Sequence, residues 1–273
     1  MVPHMQSFPA SLVLAGAGKM GGAMLRAWLG AGLAPAAITV IDPDPAADIS
    51  SLAKDAGFAL NQPAPAPEVL VLAIKPQALD EAASLAALAG PNTLVISILA
   101  GKTIANIRAR LPQAGTIVRA MPNLPAAVGR GVAGLTVEAG ASAAQRAMAE
   151  ALMAATGAVV WVDDEGQIDA VTAISGSGPA YVFHLAECLA EAGVALGLPA
   201  EVAARLARAT VEGAGELLFQ SPDRTPTELR ESVTSRGGTT AAALELLRAE
   251  DGLAPLIERA ARAAHKRAGA LSG

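Results

Sequence analysis

The most constraining feature of this chain lies near its start, where the apolar run Leu12-Val13-Leu14-Ala15 passes directly into Gly16-Ala17-Gly18-Lys19-Met20-Gly21. Three glycines in this spacing suit a turn between a strand and a helix that leaves no room for side chains. The first permits the sharp turn, the second leaves the backbone open to a diphosphate, and the third lets helix and strand pack closely. A helix that starts there offers unpaired N–H groups and the positive end of its dipole to phosphate. The alternative, glycines as loop punctuation, is the weaker reading because the pattern falls between an apolar strand and a helical stretch in the first such unit.

The rest of the first half repeats that unit. Apolar, strand-like runs are expected at residues 11–15, 38–41, 69–74, 93–98, 116–120, 132–137 and 158–162, with helices at 20–31, 46–56, 77–89, 104–111 and 143–155. Strands and helices in alternation build a parallel sheet with helices on both faces, so the strands are apolar throughout. After Asp163-Asp164-Glu165 the pattern changes to helical spacing only, with helices expected at 167–196, 199–220, 226–232, 239–248 and 253–268. The expected architecture is a Rossmann-like doubly wound parallel sheet (residues 1–165) followed by an all-helical domain (residues 166–273).

Charge excludes several classes of partner. The formal net charge is −5, and the two halves carry 10 basic against 12 acidic and 10 basic against 13 acidic side chains. Neither has the basic excess of a nucleic-acid binder or of a protein held to an anionic membrane. Cys188 is the single cysteine, which leaves no intrachain disulfide and fits a reducing cytoplasm. The longest uncharged stretch, 82–101, is broken by Gly90-Pro91-Asn92, so no membrane span is expected. The amino terminus lacks the basic start and long apolar core of a secretion signal.

Four further segments carry candidate chemistry. Asp42 ends the second strand about 20 residues after the last glycine, where an acid accepts hydrogen bonds from the adenosine ribose; it also suits a cap for the helix that follows. The loops Ile74-Lys75-Pro76-Gln77 and Arg119-Ala120-Met121-Pro122-Asn123-Leu124-Pro125 lie at the carboxyl ends of strands, where open α/β sheets bind ligands. Lys75 or Asn123 offers a donor there, against the bland reading of a solvated lysine and a turn asparagine. The runs Ile174-Ser175-Gly176-Ser177-Gly178-Pro179-Ala180-Tyr181 and Thr234-Ser235-Arg236-Gly237-Gly238-Thr239-Thr240 each open a helix and suit either a carboxylate site or a plain cap. His4, His184 and His265 form no catalytic or metal-binding pattern, and Cys188 reads as a small core residue rather than a nucleophile. The candidate cofactor residues are Gly16, Gly18, Lys19, Met20, Gly21, Asp42, Ile74, Lys75, Pro76 and Asn123.

In order along the chain, the fingerprint, Lys75-Pro76-Gln77, Ser97-Ile98-Leu99-Ala100-Gly101, Met121-Pro122-Asn123, and the runs 175–181 and 233–240 resemble the pyrroline-5-carboxylate reductase family. The resemblance covers nearly the whole chain. It implies reduction of 1-pyrroline-5-carboxylate to L-proline by NADPH or NADH in the cytoplasm. It also implies a helical domain that forms an interlocked homodimer, often assembled into a ring of dimers such as a decamer. On the same ground Ser235, Gly237, Gly238, Thr239 and Thr240 hold the substrate carboxylate and ring nitrogen, with Thr240 and Lys75 as the candidate catalytic residues. Three departures stand out: Arg236 replaces the usual proline of that loop, while Leu99 and Leu124 replace a small residue and a threonine. Two rivals share features of the chain. A β-hydroxyacid dehydrogenase has this architecture, but its catalytic lysine has no counterpart between Asp163 and Glu201. A cofactor-binding regulatory protein without turnover would not need the 235–240 loop.

Overall fold

The computed structural model describes residues 8–79 and 83–272. It divides into two compact units, one of residues up to Gly176 together with those from Ala264 onward, and one of Ser177–Ala263. The first unit therefore runs past the boundary expected after Glu165 and takes back the end of the chain.

The first unit is built on one sheet of β1 (Leu12–Ala15), β2 (Ile38–Ile41), β3 (Ala59–Leu60), β4 (Val69–Leu72), β5 (Leu94–Ser97), β6 (Thr116–Met121), β7 (Gly131–Val137) and β8 (Gly157–Trp161). Its order is β3-β2-β1-β4-β5-β6-β7-β8, parallel at every pair except β6–β7. The sheet is thus the parallel-dominated, Rossmann-like one expected, with β6–β7 as its antiparallel pair. Residues 122–130 between the two strands form only a 3-10 turn (Leu124–Val128), too short for the dozen or more residues that a parallel crossover needs.

Alternation along the strands explains why they are apolar throughout. Leu12, Leu14, Val69, Val71, Leu94 and Ile96 enter one buried cluster with Met24, Leu25 and Trp28 of α1 (Lys19–Gly30). Val13, Ala15, Leu70, Leu72 and Val95 enter another, with Ile107 of α4 (Ile104–Arg110). With side chains pointing alternately to opposite faces, a sheet covered on both sides needs apolar residues at every position. Also in this unit are α2 (Ala47–Ala56), α3 (Ala83–Ala86), α5 (Ala143–Ala154) and α6 (Gln167–Val171). Trp28 satisfies its indole N–H at the Leu152 carbonyl, 2.8 Å away.

Local expectations failed in three places. The two-residue β3 has no periodicity to read. The helix expected at 77–89 is a 3-10 turn at Pro76–Leu79 and the short α3, with residues 80–82 outside the described residues. The single helix expected at 167–196 is broken into α6, a π turn at Thr172–Gly176 and α7 (Gly178–Ala195). Pro179 is the physical cause, since it brings no N–H to the i→i−4 ladder.

The second unit comprises α7, α8 (Ala200–Gln220), α9 (Pro226–Ser232), α10 (Thr239–Leu247) and the start of α11 (Leu253–Ser272). Small residues let α7 and α8 approach closely: a Cβ on Gly193 would lie 2.9 Å from that of Ala203. Thr225 caps α9 reciprocally with Glu228, and the Thr225 N–H and hydroxyl lower the Glu228 pKa. Of the apolar side chains in this unit only Ala203 and Ala207 are buried, whereas Phe183, Leu206, Leu217 and Phe219 are each more than half exposed. One helical layer of this composition leaves its apolar faces uncovered.

Candidate active site

The glycine fingerprint sits where strand order reverses, between β1 and β4, which is the crevice in which such sheets take ligands. Gly16 has φ +90, and a Cβ there would lie 2.6 Å from the Ala73 carbonyl oxygen. A Cβ on Gly21 would overlap the Gly16 carbonyl oxygen. Both positions are closed to any other residue by backbone. Gly18 is the opposite case, because it is exposed and a Cβ there would meet nothing within 4 Å. The turn is thus shut on its protein side and open on its ligand side, at the amino terminus of α1. Lys19 and Met20 follow in the first turn of that helix, Lys19 exposed and Met20 half-buried.

Asp42, at the end of β2, faces this turn. Its Oδ2 accepts from the Ala17 N–H at 2.7 Å and its Oδ1 from the Asp44 N–H at 3.0 Å. Asn61 braces its backbone from both sides, accepting from the Asp42 N–H at 2.9 Å and donating to the Asp42 carbonyl at 2.7 Å. The cap reading is not supported: α2 begins at Ala47 without a side-chain cap bond. Nothing in the pattern of the sequence singles out Asn61, whose φ of 53 marks it as the one described non-glycine residue in the left-handed region. The Asp42 carboxylate is therefore fixed beside the glycine turn, in the place where a ribose acceptor belongs. Closed glycines, an open Gly18 and a fixed acid together fit a dinucleotide.

The loop after β4 is brought to the same place. Gly16 abuts Ala73 and the Ile74 N–H, so Ile74, Lys75 and Pro76 continue from the fingerprint's edge. Lys75 is exposed; its carbonyl accepts from the Ala78 N–H at 2.9 Å, and its side chain makes no hydrogen bond or ion pair among the described residues. The 3-10 turn Leu124–Val128 packs near α1, which brings the Met121-Pro122-Asn123 loop to this end of the sheet.

Asn123 departs from its expected role. It is buried, its Nδ2 donates to the Ser175 carbonyl at 3.0 Å, and its Oδ1 accepts from the Val132 N–H at 2.9 Å. Both ends of the amide are used within the protein, so the side chain is not presented as a free donor to a cofactor. Ser175 is absorbed in the same way, its hydroxyl donating to the Val171 carbonyl at 3.0 Å. The 174–181 run is thus not a carboxylate site at Ser175. Arg119, two residues before Met121, is buried with its guanidinium 3.2 Å from Glu165 and 3.8 Å from Asp169. An arginine inside the apolar run of β6 was the sequence signal for this cluster.

In the second unit Ser235, Arg236, Gly237 and Gly238 form a turn closed by the Gly238 N–H on the Ser235 carbonyl at 3.0 Å, with Gly237 at φ +70. The third position of a type II turn requires positive φ, and its second favours proline without demanding it, so Arg236 fits. A Cβ on Gly238 would overlap the Ser235 hydroxyl. Gly238 is the amino-terminal cap of α10 and supplies no side-chain cap. The first N–H groups of that helix, beginning at Thr239 and Thr240, therefore face outward beside the Ser235 hydroxyl, an arrangement suited to a small carboxylate. Outside this loop, His184 lies 2.8 Å from Glu187 and Cys188 3.7 Å from His184, all on the exposed side of α7. Cys188 is therefore exposed in the single chain and not the core residue expected, because this face of α7 is not covered within the chain. His4 lies outside the described residues. Among the described residues no group of three metal-ligating side chains occurs, and no helix is long and apolar enough to cross a membrane.

A dinucleotide site on a Rossmann-like sheet, followed by a helical unit with uncovered apolar faces, defines a nicotinamide-dependent oxidoreductase with a dimerisation domain. Residues 165–271 match the family model for pyrroline-5-carboxylate reductase dimerisation, and residues 11–101 that for NADP oxidoreductase, coenzyme F420-dependent. The chain is 42% identical over 265 residues to the pyrroline-5-carboxylate reductase of Pseudomonas aeruginosa, covering 94% of this chain and 95% of that one. It is 45% identical over 202 residues to that of Synechocystis, covering 73% of each. A solved pyrroline-5-carboxylate reductase from Coxiella burnetii superposes with a TM-score of 0.89 at 34% identity, over 97% of this chain and 99% of that one. The chain belongs to the pyrroline-5-carboxylate reductase family.

Proposed function

We propose that this protein reduces the C=N bond of 1-pyrroline-5-carboxylate to give L-proline, using NADH or NADPH. The observation that carries the reading is the 235–240 turn, which sets a hydroxyl and free helix N–H groups together in a chain that also has a dinucleotide fingerprint. When bound, the cofactor supplies the hydride. Gly16, Gly18, Lys19, Met20 and Gly21 receive its diphosphate, Asp42 its ribose, and Ile74, Lys75 and Pro76 line the edge of the same crevice.

Ser235, Gly237, Gly238, Thr239 and Thr240 hold the substrate. Its carboxylate takes the backbone N–H groups at the start of α10 and the Ser235 hydroxyl. Thr240 orients the ring nitrogen. An imine protonated in water is the better acceptor, so hydride adds to carbon while nitrogen already carries the proton, and no dedicated acid is needed. The protein's contribution is then alignment of donor and acceptor carbons at roughly 3 to 3.5 Å. Lys75 lies on the cofactor side, where its charge favours an anionic substrate.

The exposed apolar faces of α7, α8 and α10 support a homodimer, and the family resemblance supports a ring of dimers in the cytoplasm. The experiment is oxidation of NADH and of NADPH by the purified protein with pyrroline-5-carboxylate, with proline identified as product. Cofactor binding without proline formation would favour the non-catalytic reading.

A further inference from the structure

We propose that Asn123 is a positioning residue that locks the loop after β6 to the π turn, and so sets the geometry of the nicotinamide end of the crevice. A hydrogen-bond donor is missing where α6 and the π turn pass into α7. A helix running from α6 into α7 would satisfy the Ser175 carbonyl with the N–H of residue 179, but that residue is proline. The next N–H, of Ala180, goes to the Ser177 carbonyl at 3.0 Å. Ser175 is left with an acceptor that the helix cannot serve, and the Asn123 amide supplies the donor at 3.0 Å.

The same side chain accepts from the Val132 N–H at 2.9 Å, where β7 begins. One buried amide thus ties the end of β6, the start of β7 and the last turn of the first unit. Two neighbours strengthen the tie. A Cβ on Gly176 would lie 3.0 Å from the Met121 terminal methyl, so the two segments are in close packing there as well. Arg119 grips the beginning of the same segment through Glu165 and Asp169, and the Glu165 carboxylate also accepts from the Ile104 N–H at 2.7 Å. The carboxyl end of β6 therefore holds residues 165–176 at two points, by charge at Arg119 and by a neutral amide at Asn123. The Met121-Pro122-Asn123 peptides, which lie at the ligand-binding end of the sheet, inherit their position from that hold. Affinity for the dinucleotide rests elsewhere, on the fingerprint and Asp42.

The turnover part of this inference rests on the proposed function; the structural part does not. Asn123→Asp keeps the acceptor for Val132 and replaces the donor toward Ser175 with a second acceptor. Asn123→Ala removes both. Each should lower kcat by roughly ten- to a hundredfold, the scale of a misplacement of about an ångström, while the Kd for NADH, read by fluorescence titration, stays within about twofold of wild type. Hydrogen exchange should quicken at the amides of residues 176–178, 180 and 181 in both. Adding Pro179→Ala to Asn123→Ala supplies a backbone N–H four residues after Ser175, and should restore slow exchange and several-fold of the lost kcat. If Asn123→Ala does not fold, Asn123→Asp carries the exchange and affinity readouts alone. A Kd for NADH that rises in step with the loss of kcat would make Asn123 a cofactor ligand and overturn the proposal. So would unchanged exchange at the same amides. Exchange and NADH affinity need no substrate, so they judge the lock even if the wild type proves inactive on the imine.

Discussion

Gly18→Ala separates cofactor binding from folding, and the two glycines on either side make it a controlled test. Gly18 has φ −66 and ψ −162, an extended conformation available to alanine. The added methyl meets no protein atom within 4 Å. The folded state accepts it without strain, and the unfolded chain loses freedom, which stabilises by about 0.4 to 1 kcal/mol. Tm should hold or rise by up to about 4 °C for a chain of this size. The same methyl stands on the open side of the turn, where the diphosphate approaches the backbone. Pushing the phosphate away weakens a charge-assisted N–H contact, a cost of about 1.5 to 3 kcal/mol, or roughly ten- to a hundredfold in Kd. Gly21→Ala should behave differently, since its methyl would overlap the Gly16 carbonyl and overpacking against backbone costs about 1 to 3 kcal/mol or more in the fold itself. NADH titration by fluorescence and a thermal melt on each variant give both quantities. If Gly18→Ala bound NADH as wild type does, or lost as much Tm as Gly21→Ala, the assignment of the open side of the turn to the diphosphate would be wrong.

Three other outcomes are expected. Asp42, fixed beside the turn by the Ala17 N–H, repels the extra phosphate of NADPH, so the wild type should use NADH at least as well; Asp42→Ser should shift the kcat/KM ratio toward NADPH by about tenfold or more, and an unshifted ratio would place the ribose elsewhere. Thr240→Ala should cost about 0.5 to 1.5 kcal/mol in kcat/KM for the imine with NADH affinity intact, and wild-type kinetics would remove Thr240 from the site. A charge placed on an uncovered helix face, as in Leu206→Glu (Leu206 is 54% exposed in the single chain), should dissociate the dimer in light-scattering measurements at micromolar concentration; a variant that remains dimeric would put the interface on another face.

Much of the fold was legible because its signals are local. The fingerprint names its own turn, since Gly16 and Gly21 are excluded by backbone from being anything else. The strands announce themselves as apolar runs because both faces of the sheet are covered, and α10 begins at Thr239 where Gly237-Gly238 predicts a helix start. The 235–240 loop was legible for the same reason, as a turn whose residue types fix its conformation. Arg236 shows the limit of that legibility, for it reads as a departure and yet fits, because the second position of such a turn favours proline without requiring it.

What sequence could not supply were the partners of side chains distant along the chain. Asn123 reads as a loop donor, and only the fold reveals that Ser175, 52 residues later, needs that donor because Pro179 withholds one. Arg119 looks misplaced in an apolar strand until Glu165 and Asp169 close over it. Asp42 was placed by its spacing, but its bracing by Asn61 was not. The direction of β7 was decided by a connection too short to cross the sheet, and the extent of the first unit by the return of the chain from Ala264 onward. By itself the sequence determined the turns, the strand–helix alternation and the types of groups at the site, because residue type and near-neighbour spacing fix backbone conformation. Tertiary structure alone decided which of those groups remain free for a ligand, because a polar group buried by folding must first find a partner within the protein.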